Sequence, residues 1–379
     1  MVILGLKLDG IMSFSEFEIN FSYPIKLRNT LIKDENLESI PSFRYKKLNI
    51  FIGSNASGKT SLIKTIWQIL LFLNQKEKNI LLPLINKNSE TGYIEMDFVN
   101  GRKENYTLNR IKIKLDNLNN DIDIAFKSIP LNAGSSYENK EKDLNNFDYK
   151  YHNYLTVLNS IDFIGGYKVI MPATENAFNY IKFIKMHNES EEADYLEILK
   201  SVLKTLDNSI INVFKSSEAA NAYIIEHLDA GRIIVQEGYK LSDIPLLSSG
   251  TKYGFNIANM IYAIKTHRNG IYLIDEQFSY VNSDIEAAIL STIVSLLGPD
   301  EQIFFTTHNS SILDLGFPFH AFNFMKKERF GNKQKISTFC ASEAENRNNV
   351  SAKTLLDNDV FGTSPDLNDI FNLGDNIDA

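Results

Sequence analysis

Gly53-Ser54-Asn55-Ala56-Ser57-Gly58-Lys59-Thr60 fits the pattern G-x-x-x-x-G-K-[ST] without a mismatch. Before it, Leu48 to Ile52 is a short apolar run that reads as a buried strand. After it, Ser61 to Leu73 carries Leu62, Ile63, Ile66, Trp67, Ile69, Leu70, Leu71, Phe72 and Leu73. That segment is apolar on nearly every side, as expected of a helix packed inside a sheet protein. Strand, glycine loop and helix is the context the pattern needs to carry meaning. Gly53 and Gly58 let the backbone fold into a nest whose N–H groups point at phosphate oxygens, and the helix start adds its positive end. In such a nest Lys59 reaches the β/γ-phosphates and the Thr60 hydroxyl is a Mg²⁺ ligand. Ser54, Asn55, Ala56, Ser57 and Ser61 complete the predicted cradle. A chance match in a chain this long comes roughly once in a hundred. Requiring the strand and the helix makes it rarer still, so the bland alternative, a glycine turn ahead of a core helix, is set aside. The stretch predicts a nucleotide site.

Composition sets the limits around that site. The 379 residues are enough for two domains or for one large α/β domain with insertions, and 44% apolar content supports an ordinary core. Lys7 and Asp9 interrupt the opening apolar run, and the Ile66 to Leu73 run is too short to span a bilayer. The expectation is a cytoplasmic protein with no membrane association. A single cysteine, Cys340, excludes an internal disulfide framework and a Cys-rich metal site. A net charge of −8 argues against a surface coated for generic DNA binding, while leaving room for a local basic groove. Two groups are candidates for one: Lys326, Lys327, Arg329, Lys333 and Lys335, and Arg102, Lys103, Arg110, Lys112 and Lys114. Lysines on strand edges also block mis-pairing, which is the commoner reason for them.

Along the chain, alternation over Ile3 to Phe21 predicts two strands joined around Asp9-Gly10. The period switches to two again between Gly92 and Pro130, with a turn at Asn100-Gly101. Residues 131–150 read as a mobile loop. Tyr167 to Met171 is another apolar run, and residues 176–230 read as helical with breaks near 188–190 and 207–209. A strand at Arg232 to Val235 precedes a helix from about Thr251 to His267. Two α/β units follow, then a hairpin around Gly331-Asn332. After Lys353 the tail has six aspartates, no Lys or Arg, and interleaved apolar residues. It reads as a helical cap on the last lobe, a docking segment for a partner, or disorder.

Three later stretches carry chemistry. Ile271-Tyr272-Leu273-Ile274-Asp275-Glu276 is an apolar strand ending in two carboxylates. Asp275 is placed to hold the Mg²⁺ shell with Thr60, and Glu276 to polarise a water for in-line attack. Phe304-Phe305-Thr306-Thr307-His308 is a second such strand, whose imidazole tip is suited to the γ-phosphate or the attacking water. Leu247-Ser248-Ser249-Gly250-Thr251 precedes a helix; taken alone, its serines are a helix cap.

In this order the four stretches resemble the ATP-binding-cassette type of ATPase head, and within it the AAA-type ATP-binding proteins of the RecF, SMC and OLD group. The loop 53–60 resembles Walker A, 247–250 the signature loop, 271–276 Walker B, and His308 the switch histidine. The resemblance implies an α/β P-loop head with an antiparallel β subdomain and a helical subdomain. It assigns residues 1–330 to one head: N-terminal strands and Walker A core (1–73), antiparallel lobe (92–165), helical lobe with the signature loop (176–250), and Walker B and switch histidine core (251–330). Residues 331–379 form a C-terminal hairpin and acidic tail. The stretch that should carry a glutamine, Met171 to Asn176, has none, though Glu175 is present; Asn282 stands where His or Asp is common.

By the same resemblance, ATP and Mg²⁺ are the cofactors, with Lys59, Glu276 and His308 catalytic, and Thr60 and Asp275 on the metal. Ser248 and Gly250 complete the ATP site of a partner, making a homodimer or higher oligomer. A helix of about 17 residues is ~25 Å long, and geometry alone leaves a role for Ser248 open in its own site or in a partner's. OLD-type proteins carry a TOPRIM nuclease after the head, and the roughly 50 residues after Phe330 are too few for one. The implied function is an ATPase sensor or scaffold controlling a separate effector, such as a nuclease or toxin, in an anti-phage defence operon. A RecF-like DNA maintenance ATPase and a nucleotide-gated module with little turnover are the alternatives.

Overall fold

Most of the strands sort into two six-stranded sheets, one of which holds the strands that are buried on every residue. The computed structural model describes residues 1–25, 31–101, 105–162, 166–171, 179–278, 281–330, 333–344 and 351–363. The elements begin with β1 (Val2–Asp9), β2 (Phe17–Asn20), β3 (Asn36–Leu37), β4 (Ile40–Arg44), β5 (Leu48–Ile52) and α1 (Lys59–Gln75). Next come β6 (Thr91–Asn100), β7 (Thr107–Asp116), β8 (Asp121–Pro130), α2 (Tyr137–Asn145), β9 (His152–Asn153), α3 (Tyr154–Leu158) and β10 (Tyr167–Ile170). Then follow α4 (Glu189–Leu206), β11 (Ile210–Lys215), β12 (Ala222–His227), β13 (Gly231–Gln236) and α5 (Ser249–Lys265). The remainder is β14 (Ile271–Asp275), α6 (Ser283–Leu296), β15 (Gln302–Thr307), β16 (Phe322–Phe330), β17 (Lys333–Cys340), α7 (Ala341–Ala344) and α8 (Ala352–Asp357).

The core sheet has the order β10-β14-β15-β5-β16-β17. It is parallel from β10 to β16, and β17 closes the edge antiparallel. β5, β14 and β15 are buried at every residue because helices cover both faces. Alternate side chains go to different clusters: Ile50, Ile274 and Phe305 pack with α5 and α6, whereas Phe51, Leu273 and Phe304 pack with Leu62, Ile63 and Ile66 of α1. Parallel strands place all their C-terminal ends on one edge, where ligands of such sheets bind. Here the pairings Asp275↔Thr306 and Thr307↔Ile52 align three strand ends at that edge.

The second sheet, β2-β1-β6-β7-β8-β9, is antiparallel. The opening strands and the 92–130 strands therefore form one subdomain. Asn100 pairs with Thr107, so the Asn100-Gly101 step opens a longer loop rather than making a two-residue turn; Gly101 takes φ +119° there.

The structure corrects the sequence in three places. The reading of 176–230 as helical holds only for α4. Residues 210–236 form a three-stranded sheet, β11-β12-β13, so the 176–250 lobe is a helix backed by strands. Their β-branched and aromatic runs pair across strands, as in Phe214↔Ile224 and Ile224↔Ile234. Val213, Tyr223 and Ile225 pack with Tyr195 and Leu199 of α4. Second, the expected loop at 131–150 contains α2, whose Tyr137 and Leu144 lie two turns apart on one buried face. Third, the boundary at 330 cuts a hairpin: β16 pairs with both β5 and β17, so the hairpin belongs to the core sheet. Gly331 and Asn332, the expected turn, lie outside the described residues.

Beyond β17, Ala352, Leu355 and Phe361 join the main cluster, and Phe361 stacks on Phe324 at 3.9 Å. The described part of the tail is thus a cap on the core, while Asp366, Asp369, Asp375 and Asp378 lie outside the described residues. No described helix is long and apolar enough to cross a membrane.

Candidate nucleotide site

The turn from β5 into α1 is made by backbone conformations that most residues avoid. Ala56 has φ +62° and Gly58 φ +105°, and a Cβ at either flanking glycine would collide. At Gly53 it would meet the Met325 carbonyl oxygen and Ser57 Oγ, and at Gly58 it would meet Ile336 Cδ1 at 2.6 Å. No side chain caps α1, and its first turn holds no acidic residue. Its first amides are therefore left for an anion. A cleft of about 230 Å³ opens there, lined by Ser13, residues 56–61, Glu276, Lys327 and Ile336.

Lys59 Nζ folds back over the loop, donating to the Gly53 and Ser54 carbonyls at 2.9 and 3.1 Å, and lies 3.6 Å from Glu276 Oε1. Burial holds its pKa down against the Glu276 and Asp275 charges. Asp275 is fully buried. Its Oδ1 accepts from the Thr60 hydroxyl at 3.2 Å and from the Thr306 hydroxyl at 2.6 Å, while its Oδ2 has no hydrogen-bond partner. Burial pushes this carboxyl up to about 6; the Thr306 bond opposes that, the Glu276 charge adds to it, and the Thr60 bond and Lys59 oppose it. A buried carboxylate oxygen without a donor costs about 1–3 kcal/mol. Together with the Thr60 hydroxyl it makes a hard oxygen pair of the kind Mg²⁺ takes. The residues present fit the metal.

Glu276 follows in a left-handed conformation, φ +44°. Its N–H donates to Thr306 Oγ1 at 3.0 Å, so one threonine holds both the Asp275 carboxylate and the Glu276 backbone. His308 Nε2 lies 2.9 Å from Glu276 Oε1. The imidazole is in turn flanked by anchored neighbours. The Thr307 hydroxyl donates to Glu286 Oε1 at 2.7 Å, and Asn309 Nδ2 donates to Glu286 Oε2 at 2.8 Å. Glu286, on α6, is buried, and that burial raises its pKa against these two bonds.

Sequence reasoning missed Thr306 and Glu286. Two threonines ending an apolar strand were the available signal for the first. An acid in the first turn of a helix reads as solvated, so Glu286 gave none.

Lys59, Thr60, Asp275, Glu276 and His308 are thus brought together. Ser248 and Gly250 are not among the residues lining the cleft. Ser248 caps α5, accepting from Thr251 N–H at 3.1 Å, and Asn282 caps α6, accepting from Asp284 N–H at 2.8 Å. Glu175 and the rest of 172–178 lie outside the described residues.

Each candidate basic groove is partly neutralised by ion pairs. Arg110 is buried on Asp97 at 2.6 Å, and Lys112 meets Glu95 at 3.2 Å. Lys326 meets Glu328 at 2.9 Å and Lys335 meets Glu16 at 3.2 Å. Arg102 and Lys103 lie outside the described residues.

A family model described as "AAA domain, putative AbiEii toxin, Type IV TA system" matches residues 48–314, from the start of β5 past His308. No curated protein matches the chain. Among solved structures, an SMC head bound to the C-winged helix domain of ScpA aligns over 91% of this chain and 99% of its own, at 12% identity and a TM-score of 0.51. An Smc head with an extended coiled coil, bound to the C-terminal domain of ScpA derived from Pyrococcus furiosus, aligns over 90% and 97% at 11% identity, with a TM-score of 0.52. At that identity the likeness carries the fold. The family match spans well over half of the sequence, and the chain belongs to this AAA family, with an ABC-type P-loop head of the SMC-head fold.

Proposed function

We propose that this chain is a Mg²⁺-dependent ATPase that dimerises head to tail around ATP and serves as a sensor or scaffold controlling a separate effector, a nuclease or toxin, in anti-phage defence. One observation carries the enzymatic part: Asp275 Oδ2, buried without a partner, sits on the carboxylate that the Thr60 hydroxyl already touches, beside Lys59 and Glu276. Bound Mg²⁺·ATP supplies the electrophilic γ-phosphoryl group. The loop amides and Lys59 hold the phosphates, and Thr60 with Asp275 holds the metal. Glu276 accepts a hydrogen bond from the attacking water and orients it in line, with His308 holding Glu276 from the other side.

Ser248 and Gly250 lie outside the cleft of their own chain, which leaves them available to a second copy, whose site they are proposed to complete. The toxin and type IV TA system named in the family description support the defence context. A RecF-like DNA maintenance role is less favoured, because Arg110, Lys112, Lys326 and Lys335 are each paired with a carboxylate. The test is ATP turnover by the full chain with and without Mg²⁺ and DNA, beside mass photometry with and without ATP. Mg²⁺-dependent turnover with ATP-induced pairing is expected. Absence of ATP binding overturns the reading, DNA-stimulated turnover favours the RecF-like role, and binding without turnover favours the gated module.

A further inference from the structure

Strand geometry divides the basic cluster on β16 in two. Successive side chains point to opposite faces. Lys326 pairs with Glu328 two residues on, at 2.9 Å, and both share the face of Phe324, which packs in the α5 cluster. Lys327 takes the other face, with Met325, which packs in the α1 cluster. Its directly opposed partner on β17 is Ile336, and directly opposed residues share a face. Ile336 is the side chain a Cβ on Gly58 would strike, and the Met325 carbonyl is what a Cβ on Gly53 would strike. β16 therefore runs against the glycine loop, and Lys327 lines the cleft beside residues 56–61.

Charge gives this placement a purpose. Among the described lysines and arginines Lys59 alone faces both Asp275 and Glu276, so without its metal the known half of the site is net negative toward a polyanion. Lys327 is the second cation among the described lining residues, and it makes no ion pair with a described carboxylate. We propose that Lys327 is a second phosphate-binding cation of this cleft, donating from the strand side to an oxygen of a nucleoside di- or triphosphate while Lys59 donates from the helix side. The inference rests on reading the cleft as the nucleotide site. An ammonium–phosphate bond is charge-assisted and forms with ADP as well as with ATP.

Titration calorimetry of the full chain with ATP and with ADP tests it, using Lys327→Gln, Lys327→Arg and Lys326→Gln beside wild type. Lys327→Gln should weaken both nucleotides by about tenfold or more, the loss of one charge-assisted hydrogen bond. Lys327→Arg should restore most of the affinity, and Lys326→Gln should behave as wild type. Wild-type affinity in Lys327→Gln overturns the assignment of Lys327 and leaves the nucleotide site standing. A wild type that binds neither nucleotide overturns both. Should Lys327→Gln fail to fold, acetylation of wild-type lysines read by mass spectrometry decides. ATP should slow modification of Lys327 several-fold while leaving Lys326 unchanged, and equal rates at Lys327 with and without ATP overturn the proposal.

Discussion

His308 Nε2 stands 2.9 Å from Glu276 Oε1, and the same carboxylate oxygen lies 3.6 Å from Lys59 Nζ. Glu276 is thus gripped by one side chain from the start of α1 and one from just past the end of β15, aimed where an attacking water would stand. Gln at 276 keeps the shape and loses the base. Glu276→Gln should lower kcat by roughly 10²–10⁴, the usual contribution of a general base, with ATP binding retained. On mass photometry with ATP the variant should persist as a pair that wild type forms only transiently. Unchanged turnover would remove Glu276 from the chemistry.

Asp275 makes the empty-handed protein pH-sensitive. Its folded pKa, about 6, stands above the ordinary 3.8 because of burial. A carboxyl raised in this way favours folding when protonated, a contribution complete below about pH 4 and lost as pH rises through about 6. At pH 7.5 the buried carboxylate therefore costs the protein without ligand up to about 3 kcal/mol. Asp275→Asn should raise the melting temperature at pH 7.5 without Mg²⁺ and nucleotide, by less at pH 5, and should abolish the further gain on adding Mg²⁺·ATP. A variant that melts lower than wild type at pH 7.5 in the absence of ligand would contradict this account.

The loop 53–60 was legible because its constraints are local: two glycines, a lysine and a threonine within eight residues, between a strand and a helix. Asp275-Glu276 and His308 were legible as polar ends of apolar runs. What joined them was not. That Asp275 pairs with Thr306, and Thr307 with Ile52, is a matter of strand order, and the second pairing joins residues more than two hundred positions apart. Residues 210–230 were misread because Ile210, Val213 and Phe214 recur at a helix-like spacing while their β-branched and aromatic side chains favour strands; the strand expected at Arg232 to Val235 is β13. Lys327 was grouped with Lys326, and only the pleat of β16 separates the cleft-lining residue from the one paired with Glu328.

Glu286 accepts from both neighbours of His308, and a glutamine there can accept from only one of them. Its amide would face either the Thr307 hydroxyl or Asn309 Nδ2. With the amide on Thr307 Oγ1, which also accepts from Asn309 N–H, the Thr307 O–H loses its acceptor. Asn309 cannot turn over to help, because its Oδ1 already accepts from Ser311 N–H at 3.0 Å and Ser311 Oγ at 2.6 Å. Glu286→Gln should cost about 1–3 kcal/mol in urea unfolding. With His308 loosened, kcat should fall about tenfold while KM for ATP stays put, the signature of a group acting only in the transition state. Equal losses in kcat and in nucleotide affinity would indicate general damage to the fold instead.

Ser248 has a structural role whether or not it has a second one. As the cap of α5, its replacement by alanine should cost about 1 kcal/mol, read from thermal unfolding. The head-to-tail pairing adds a stronger expectation. Lys59→Ala loses the loop lysine and Ser248→Ala the cap that the partner's site would use, so each protein alone should be inactive. In a two-fold pair of one copy of each, both lesions fall in the same site and the other site is intact. An equal mixture should therefore recover about a quarter of wild-type turnover, since half the pairs are mixed and each has one working site. If Ser248 served its own nucleotide, every site in the mixture would carry a lesion and turnover would stay at zero.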